Sequence, residues 1–118
     1  MVQDSVLGRI SVAPKAIATV ASEAVLGCYG VVGMAAATLA DGIAVLLQVE
    51  NQHRGVEVEV MDGEIAVDLY VIVEYGTRIS EVAHNIMETV SFALERALGM
   101  RVRCVNVHVQ GLRVSDRD

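Results

Sequence analysis

Two stretches in the middle of the chain alternate between apolar and polar side chains. The first is Val56–Val60, the second is Ile65–Val73, and Asp62 and Gly63 stand between them. Such alternation predicts β-strands that bury one face, and an Asp-Gly pair favours the two-residue turn of a hairpin. We therefore predict a β-hairpin with its valine-rich face in the core. Its other face, at least partly exposed to water, comprises Glu57, Glu59, Ala66, Asp68, Tyr70 and Ile72.

Apolar residues at helical spacing predict a helix near the start of the chain. Pro14 suits the first turn, where its missing N–H group is not needed, and Ser11 or Ala13 precedes it as the cap. Gly27 is expected to end the helix. The predicted buried stripe comprises Ile17, Val20, Ala21, Ala24 and Val25.

A longer helix is predicted from Arg78 to Leu98. Thr77 is the expected N-terminal cap, and Gly99 is the expected C-terminal cap. Met87 and Phe92 lie at the margins of its apolar stripe. That stripe comprises Ile79, Val82, Ala83, Ile86, Val90, Leu94 and Ala97.

Shorter patterns complete the predicted topology. Gly8–Val12 and Val102–Leu112 have the character of strands, and Leu39–Leu47 has that of a short helix, although Ile43–Val49 also fits a strand. The order β-α-(α)-β-β-α-β predicts an α+β fold: a two-layer sandwich with a mixed sheet and helices on one face. The residues predicted to point outward from the last strand are Cys104, Asn106, His108 and Gln110.

Composition supports one globular domain over residues 1–118, with a core from about residue 8 to 114. Of the 118 residues, 53% are apolar and 20% are charged, which excludes intrinsic disorder. Aromatic residues are only 3% of the chain, which argues against a base-stacking platform for nucleic acid. The net charge of −6 also argues against nucleic acid as a partner.

The charge is unevenly distributed along the chain. Residues 41–74 hold eight acidic residues and one arginine, a net charge of −7, whereas residues 95–118 carry a net charge of +2. One interpretation is that these segments become neighbouring strands whose charges pair. The other is that they form complementary faces that meet between subunits or with a partner.

Cysteines and targeting patterns indicate a reducing compartment. Cys28 and Cys104 lie far apart in sequence among apolar residues, so we expect both to be buried free thiols. The first residues lack the pattern of a signal peptide. The longest uncharged run, Ala24–Ala40, contains three glycines and is too short to span a bilayer. We expect a cytoplasmic protein without direct membrane insertion that reaches the membrane only through a partner.

Residues for catalysis or metal binding do not form a recognisable motif. There is no nucleophile elbow or phosphate-binding loop, and Lys15 is the only lysine. His84 and Glu88 have a spacing that could hold a metal, but an exposed helix face explains them better. We therefore expect no enzyme activity, cofactor or metal, with a cryptic small-molecule enzyme as one alternative. Gly27–Gly30 and Gly30–Gly33 match the GxxG loop of KH domains, so a KH-like RNA-binding module is another. A glycine-rich turn that lets a helix and a strand approach closely explains these glycines better.

Several segments together resemble the bacterial alkaline shock protein family, also called envelope stress response proteins. They are GRISVAPKAIATVASEA, GVVGMA, GVEVEVMDGEIAVDLYVIVEYG, ISEVAHNIMETVSFALERALGM and VNVHVQGLRV, in matching order from Gly8 to Val114. CYGVVGMA and LADGIAVLLQVENQHRGV resemble one branch, whose gene commonly lies beside a dihydroxyacetone-kinase-like fatty acid kinase. Pattern positions of the family are matched by Gly76, Gly99, Asn106 and Gly111.

The resemblance implies a small cytosolic, non-enzymatic protein linked to cell-envelope stress or membrane-lipid metabolism. It implies self-association into a homo-oligomer and protein partners, including a membrane-anchored or lipid-metabolism protein, and no established catalytic residues. We expect partners to bind the outward face of the sheet. The residues expected to form that surface are Glu59, Asp68, Tyr70, Ile72, Asn106, His108 and Gln110.

Overall fold

The computed structural model describes residues 2–5, 7–37 and 44–114. It has the predicted α+β fold, in which helices pack on one face of a four-stranded sheet. In chain order the elements are β1 (Val2–Ser5), β2 (Gly8–Ser11), α1 (Pro14–Leu26), β3 (Val31–Met34), a 3-10 helix (Val49–Gly55), β4 (Val56–Met61), β5 (Glu64–Glu74), α2 (Ile79–Leu98) and β6 (Arg101–Arg113).

Strand β5 is the centre of the sheet. Along one edge it pairs in parallel with β6 over its whole length. Along the other edge it pairs antiparallel with β4 through residues 64–69 and with β3 through residues 71–73. Because a strand has only two edges, β3 and β4 follow one another along the same side of β5. The sheet is therefore mixed, as predicted, and is locally three strands wide.

The β4–β5 hairpin forms as the sequence predicts. Asp62 and Gly63 both have positive φ, 52° and 78°, as the type I′ turn requires. Valine and leucine side chains on the helix side of β5 are completely buried. The sheet contributes to the core Val56, Ile65, Val67, Leu69, Val71 and Val73.

The two α-helices cover that face of the sheet. Helix α1 begins at Pro14 and is capped by Gly27, as predicted. Helix α2 ends at Gly99, whose φ of 67° is left-handed and suits glycine. Its buried residues recur every fourth position and are Val82, Ile86, Val90 and Leu94.

Two predictions for α2 are wrong. The buried stripe of α2 is shorter than expected, because Ile79 and Ala97 at its two ends are exposed. Thr77 is not the cap: Arg78 occupies that position, and the Thr77 hydroxyl donates a hydrogen bond to the carbonyl oxygen of Glu74 at 2.6 Å. The threonine therefore closes the turn after β5 instead of binding the helix N–H groups.

The segment between α1 and β4 also differs from the prediction. Residues 31–34 form β3, where we expected only a glycine-rich turn. The sequence predicts a short helix over Leu39–Leu47, with a strand over Ile43–Val49 as the alternative. Residues 38–43 lie outside the described residues, and residues 44–48 are not helical. Leu46 instead forms a β-bridge with Ala35, and the N–H of Leu47 donates to the carbonyl of Met34 at 2.9 Å.

The predicted first strand is present but belongs to a different sheet. Strand β2 pairs antiparallel with β1 in a separate two-stranded hairpin. It does not join β5, because β3, β4 and β6 already occupy both edges of that strand.

Candidate protein-binding surface

The face of the sheet opposite the helices carries most of the polar side chains of the strands. We call it the open face and define it by Glu57, Glu59, Asp68, Tyr70, Arg103, Cys104, Asn106 and His108. Strand register brings these side chains together. Asp68 lies between Glu57 of β4 and Asn106 of β6, and the next outward residue of β5, Tyr70, lies beside His108.

Asp68 is the centre of a hydrogen-bonded group on the open face. Its Oδ1 atom lies 2.9 Å from Nε2 of His108 and accepts a bond from Nδ2 of Asn106 at 3.2 Å. One carboxylate oxygen thus connects two side chains of the neighbouring strand. The side chains of His108 and Asp68 remain 43% and 36% exposed, so a partner can reach the pair.

Tyr70 extends this group toward β4. Its hydroxyl donates a hydrogen bond to Oε1 of Glu57 at 2.9 Å, and its ring stacks on His108 with centroids 4.6 Å apart. Desolvation raises the pKa of the Tyr70 phenol, and the hydrogen bond to Glu57 and the negative charges of Glu57 and Asp68 raise it further. The phenol is therefore held in its neutral, donating form.

A second polar contact crosses β5 at the small side chain of Ala66. Arg103 of β6 lies 3.7 Å from Glu59 of β4, and both side chains are largely exposed. This ion pair joins the acidic hairpin to the basic last strand, as the charge-pairing interpretation predicts. Arg103 sits where the β5–β6 register shifts, between the partners of Ile65 and Ala66.

Two residues expected on the partner surface have other positions. Ile72 points to the predicted side of β5 but is completely buried. The segment after β3 covers it. Gly111 of β6 is the strand partner of Ile72, and a Cβ added to Gly111 would lie 3.0 Å from the Cβ of Ala44 in that segment. Gln110 donates hydrogen bonds to the carbonyl oxygens of Ala36 and Ala37 at 3.4 and 3.0 Å. The prediction that Ile72 is exposed is wrong, and Gln110 holds the covering segment.

Other candidates from the sequence lie away from this group. Cys28 is buried as expected, but Cys104 is exposed on the open face, so its predicted burial is wrong. Within the described ranges, no three histidine, cysteine or acidic side chains are close enough together to hold a metal ion. His84 and Glu88 are exposed on α2.

The glycines of the GxxG pattern allow close packing. A Cβ on Gly30 would lie 2.8 Å from Cγ2 of Val82, and one on Gly33 would lie 2.6 Å from Cδ1 of Leu46. Gly30 also has a φ of 88°, which glycine adopts readily. The prediction that this turn permits close approach is confirmed.

Three residues of the open face were missing from the predicted surface: Cys104, whose burial was predicted, and Glu57 and Arg103. Alternation placed Glu57 outward, but only the hydrogen bond from Tyr70 gives it a role in the group. Arg103 was missed because strict alternation places it on the inner face. The register shift beside it breaks that alternation, and no residue type in the sequence signals the shift.

Comparison with known proteins identifies the family. The model of the alkaline shock protein 23 family, described as having a cell envelope-related function, matches residues 2–114. The chain belongs to the alkaline shock protein 23 family. This confirms the resemblance that the sequence motifs indicated.

Two known proteins are similar to this chain over almost their full length. YloU of Bacillus subtilis (strain 168) is 44% identical over 110 residues, covering 92% of both chains. Spy1614 of Streptococcus pyogenes serotype M6 is 43% identical over 108 residues, covering 91% of this chain and 89% of that protein. Identity and coverage at this level agree with the family assignment.

A solved structure shares the fold at lower sequence similarity. A zinc form of MamM CTD has a TM-score of 0.53 and 17% identity, covering 86% of this chain and 89% of that chain. At this identity the likeness concerns the fold alone. In the described part of the present chain, no helix has the length and apolar character needed to cross a membrane.

Proposed function

We propose that this member of the alkaline shock protein family is a non-enzymatic scaffold or regulatory protein that binds protein partners on its open face. The observation that carries the proposal is the Asp68 group, in which one exposed carboxylate is held by Asn106 and His108. A preformed polar group on a rigid sheet loses little conformational entropy when a partner binds, which favours recognition.

The charge of the open face indicates the chemistry of the partner. It contains three carboxylates, on Glu57, Glu59 and Asp68, against the single arginine Arg103. Ile72, its most apolar neighbour, is buried and cannot contribute an apolar anchor. A partner segment that carries basic or hydrogen-bond-donating side chains therefore complements this surface best.

The family supports the biological setting of this proposal. Its cell envelope-related function agrees with a partner that is membrane-anchored or acts in membrane-lipid metabolism, such as the fatty acid kinase suggested by the resemblance to one branch. We further propose that the protein self-associates, which gives a scaffold several copies of the open face.

Affinity purification from the native cells tests partner binding. The wild-type protein, Asp68→Lys and the matched control Glu50→Lys are each captured after cross-linking, and the retained proteins are identified by mass spectrometry. Glu50 is an exposed residue of the 3-10 helix, outside the open face. We expect partners that the wild type and the control retain and that Asp68→Lys loses. Equal retention by all three proteins would show that the open face is not the binding surface.

A further inference from the structure

Strand β6 leaves one edge of the sheet open. At 13 residues it is the longest described strand, and β5 is its only strand partner in the described part of the chain. An unpaired edge presents a row of N–H and C=O groups that can pair with another strand. Near the start of β6, the N–H of Val102 donates to the carboxylate of Glu95 at 3.3 Å.

The side chains of β6 that face the helices are incompletely covered. Those of Val105, Val107 and Val109 are half-buried, whereas Val67 and Leu69 of β5, on the same side of the sheet, are completely buried. A groove of about 320 Å³ runs along this edge, between β6 and the side chains of His84, Met87 and Ser91 on α2. This edge can therefore accept apolar side chains from an added strand.

Strand β4 leaves the opposite edge open and has the complementary pattern. Its sequence alternates valine and glutamate, with Glu57 and Glu59 exposed on the open face and its valines turned toward the helices. Among the described residues it pairs with β5 only. A strand that binds beside β6 with apolar residues on the helix side and acidic residues on the open face would have this pattern.

The charges of the two edges are opposite. Strand β6 contains the exposed arginines Arg101, Arg103 and Arg113 and no acidic residue, whereas β4 contains two glutamates and no basic residue. Two β6 strands brought together by a twofold axis would place arginines near arginines. Like charges across an interface oppose such pairing, and opposite charges favour β6 with β4.

Strand direction leads to the same pairing. Strand β4 runs antiparallel to β5, and β5 runs parallel to β6. A second copy shifted sideways, without being turned over, therefore places its β4 antiparallel to β6 of the first. The helices of both copies then lie on one side and both open faces on the other.

From these three observations we propose that the protein self-associates head to tail, with β4 of one copy added to β6 of the next. This inference rests on the self-association in the proposed function and names its surfaces. Glu57 and Glu59 of one copy then lie on the strand directly beside Arg103 of the other copy. Within one chain, β5 lies between these glutamates and Arg103. Because the β4 edge and the β6 edge are different surfaces, an assembly of any length still has one free β4 edge and one free β6 edge. Growth is therefore open-ended.

Two charge-reversed variants test this arrangement. Glu57→Lys with Glu59→Lys blocks the β4 edge, and Arg101→Glu with Arg103→Glu blocks the β6 edge. Sedimentation velocity follows the wild type, each variant and their equimolar mixture over a range of concentrations. The control, Glu50→Lys with Glu81→Lys, makes the same charge change as the β4 variant at exposed sites outside the strands.

Head-to-tail pairing predicts a distinct result for each sample. The wild type and the control associate into species that grow with concentration and that added salt weakens. Each edge variant alone associates at least about 100-fold more weakly. The equimolar mixture recovers association, because the intact β6 edge of one variant pairs with the intact β4 edge of the other and the two reversed edges also carry opposite charges. This recovery also shows that both variants are folded.

Three outcomes would overturn the inference. A wild type that is monomeric at every concentration removes both the inference and the proposed self-association. Association that stops at a dimer, and that only the β6 variant abolishes, indicates twofold β6 pairing. Association unchanged in both variants shows that other surfaces carry it. In the last two cases the proposed self-association stands and only the head-to-tail arrangement fails.

Discussion

The Nε2 atom of His108 lies 2.9 Å from Oδ1 of Asp68, across the parallel pair formed by β6 and β5. The two residues are 40 positions apart in the sequence, and the α2 crossover brings their strands side by side. They join the last strand to the centre of the open face. Both side chains are substantially exposed, so their mutual energy is expected to be small even though their geometry is specific.

A double-mutant cycle on this pair measures that energy. We expect Asp68→Ala and His108→Ala to be non-additive by about 0.5 kcal/mol in the free energy of unfolding, because exposed pairs contribute little. Urea denaturation of the wild type, both single variants and the double variant gives the value. Strict additivity would show that the contact does not stabilise the fold.

The raised pKa of the Tyr70 hydroxyl predicts that the free energy of unfolding falls at alkaline pH. Its pKa is raised in the folded protein, so the proton is held more tightly than in the unfolded chain. The resulting stabilisation is complete below the ordinary pKa of 10.0 and is lost as the pH rises through the folded pKa.

Tyr70→Phe removes this contribution. We expect the difference in unfolding free energy between the wild type and Tyr70→Phe to be constant below about pH 10 and to shrink above it. Denaturation across this pH range measures the difference, with Tyr75→Phe, outside the open face, as the matched control. A difference that grows with pH would contradict the assigned direction of the shift.

Two isoleucines of α2 provide a matched test of the core. Ile86 is completely buried, whereas Ile79 is 40% exposed. We expect Ile86→Ala to lower the free energy of unfolding by about 3 kcal/mol, because it leaves a cavity. We expect Ile79→Ala to cost no more than about 0.5 kcal/mol. Chemical denaturation distinguishes the two values, and equal losses would place Ile79 in the core after all.

Gly55 occupies a position that has no room for even one methyl group. A Cβ there would lie 2.8 Å from the carbonyl oxygen of Ala35 and 3.0 Å from Cβ of Met34. We expect Gly55→Ala to destabilise the fold by about 2 kcal/mol, because backbone must shift. Gly27→Ala is the control, since its nearest neighbour is 3.6 Å away. Thermal unfolding that ranks Gly27→Ala as the more harmful variant would disprove this packing.

Gln110 is predicted to hold the segment that covers Ile72. Its Nε2 atom donates to the carbonyl oxygens of Ala36 and Ala37. Gln110→Ala removes both bonds, so we expect faster amide hydrogen exchange around residues 35–37 and 44–47. Exchange in α1, which packs in the core and does not contain the segment that Gln110 binds, is the internal reference. Unchanged exchange near Ala35 would show that packing alone retains the segment.

Local signals allowed much of the fold to be predicted. The Asp62–Gly63 pair and the alternation around it determine the hairpin because turn geometry and burial agree there. Gly99 likewise marks the end of α2 because its left-handed conformation favours glycine. The parallel pairing of β5 with β6 follows less directly, since it depends on the crossover through α2.

The errors arose where distant segments decide the outcome. Ile72 is buried because residues from another part of the chain cover it, and nothing in its own strand indicates this. Thr77 bonds back to Glu74 instead of capping α2, a choice between two local hydrogen bonds that the sequence allows equally. The polar group around Asp68 depends on strand register, which one-residue shifts in β6 modify.

The central position of β5 has a consequence for synthesis on the ribosome. Its edge for β6 cannot be filled until residues 101–113 have emerged, well after β4 and β5 have left the tunnel. During this interval a nascent chain presents an apolar strand with one unpaired edge, which neighbouring nascent chains could join. The speed with which α2 folds and delivers β6 therefore helps to determine how much newly made protein reaches its native form.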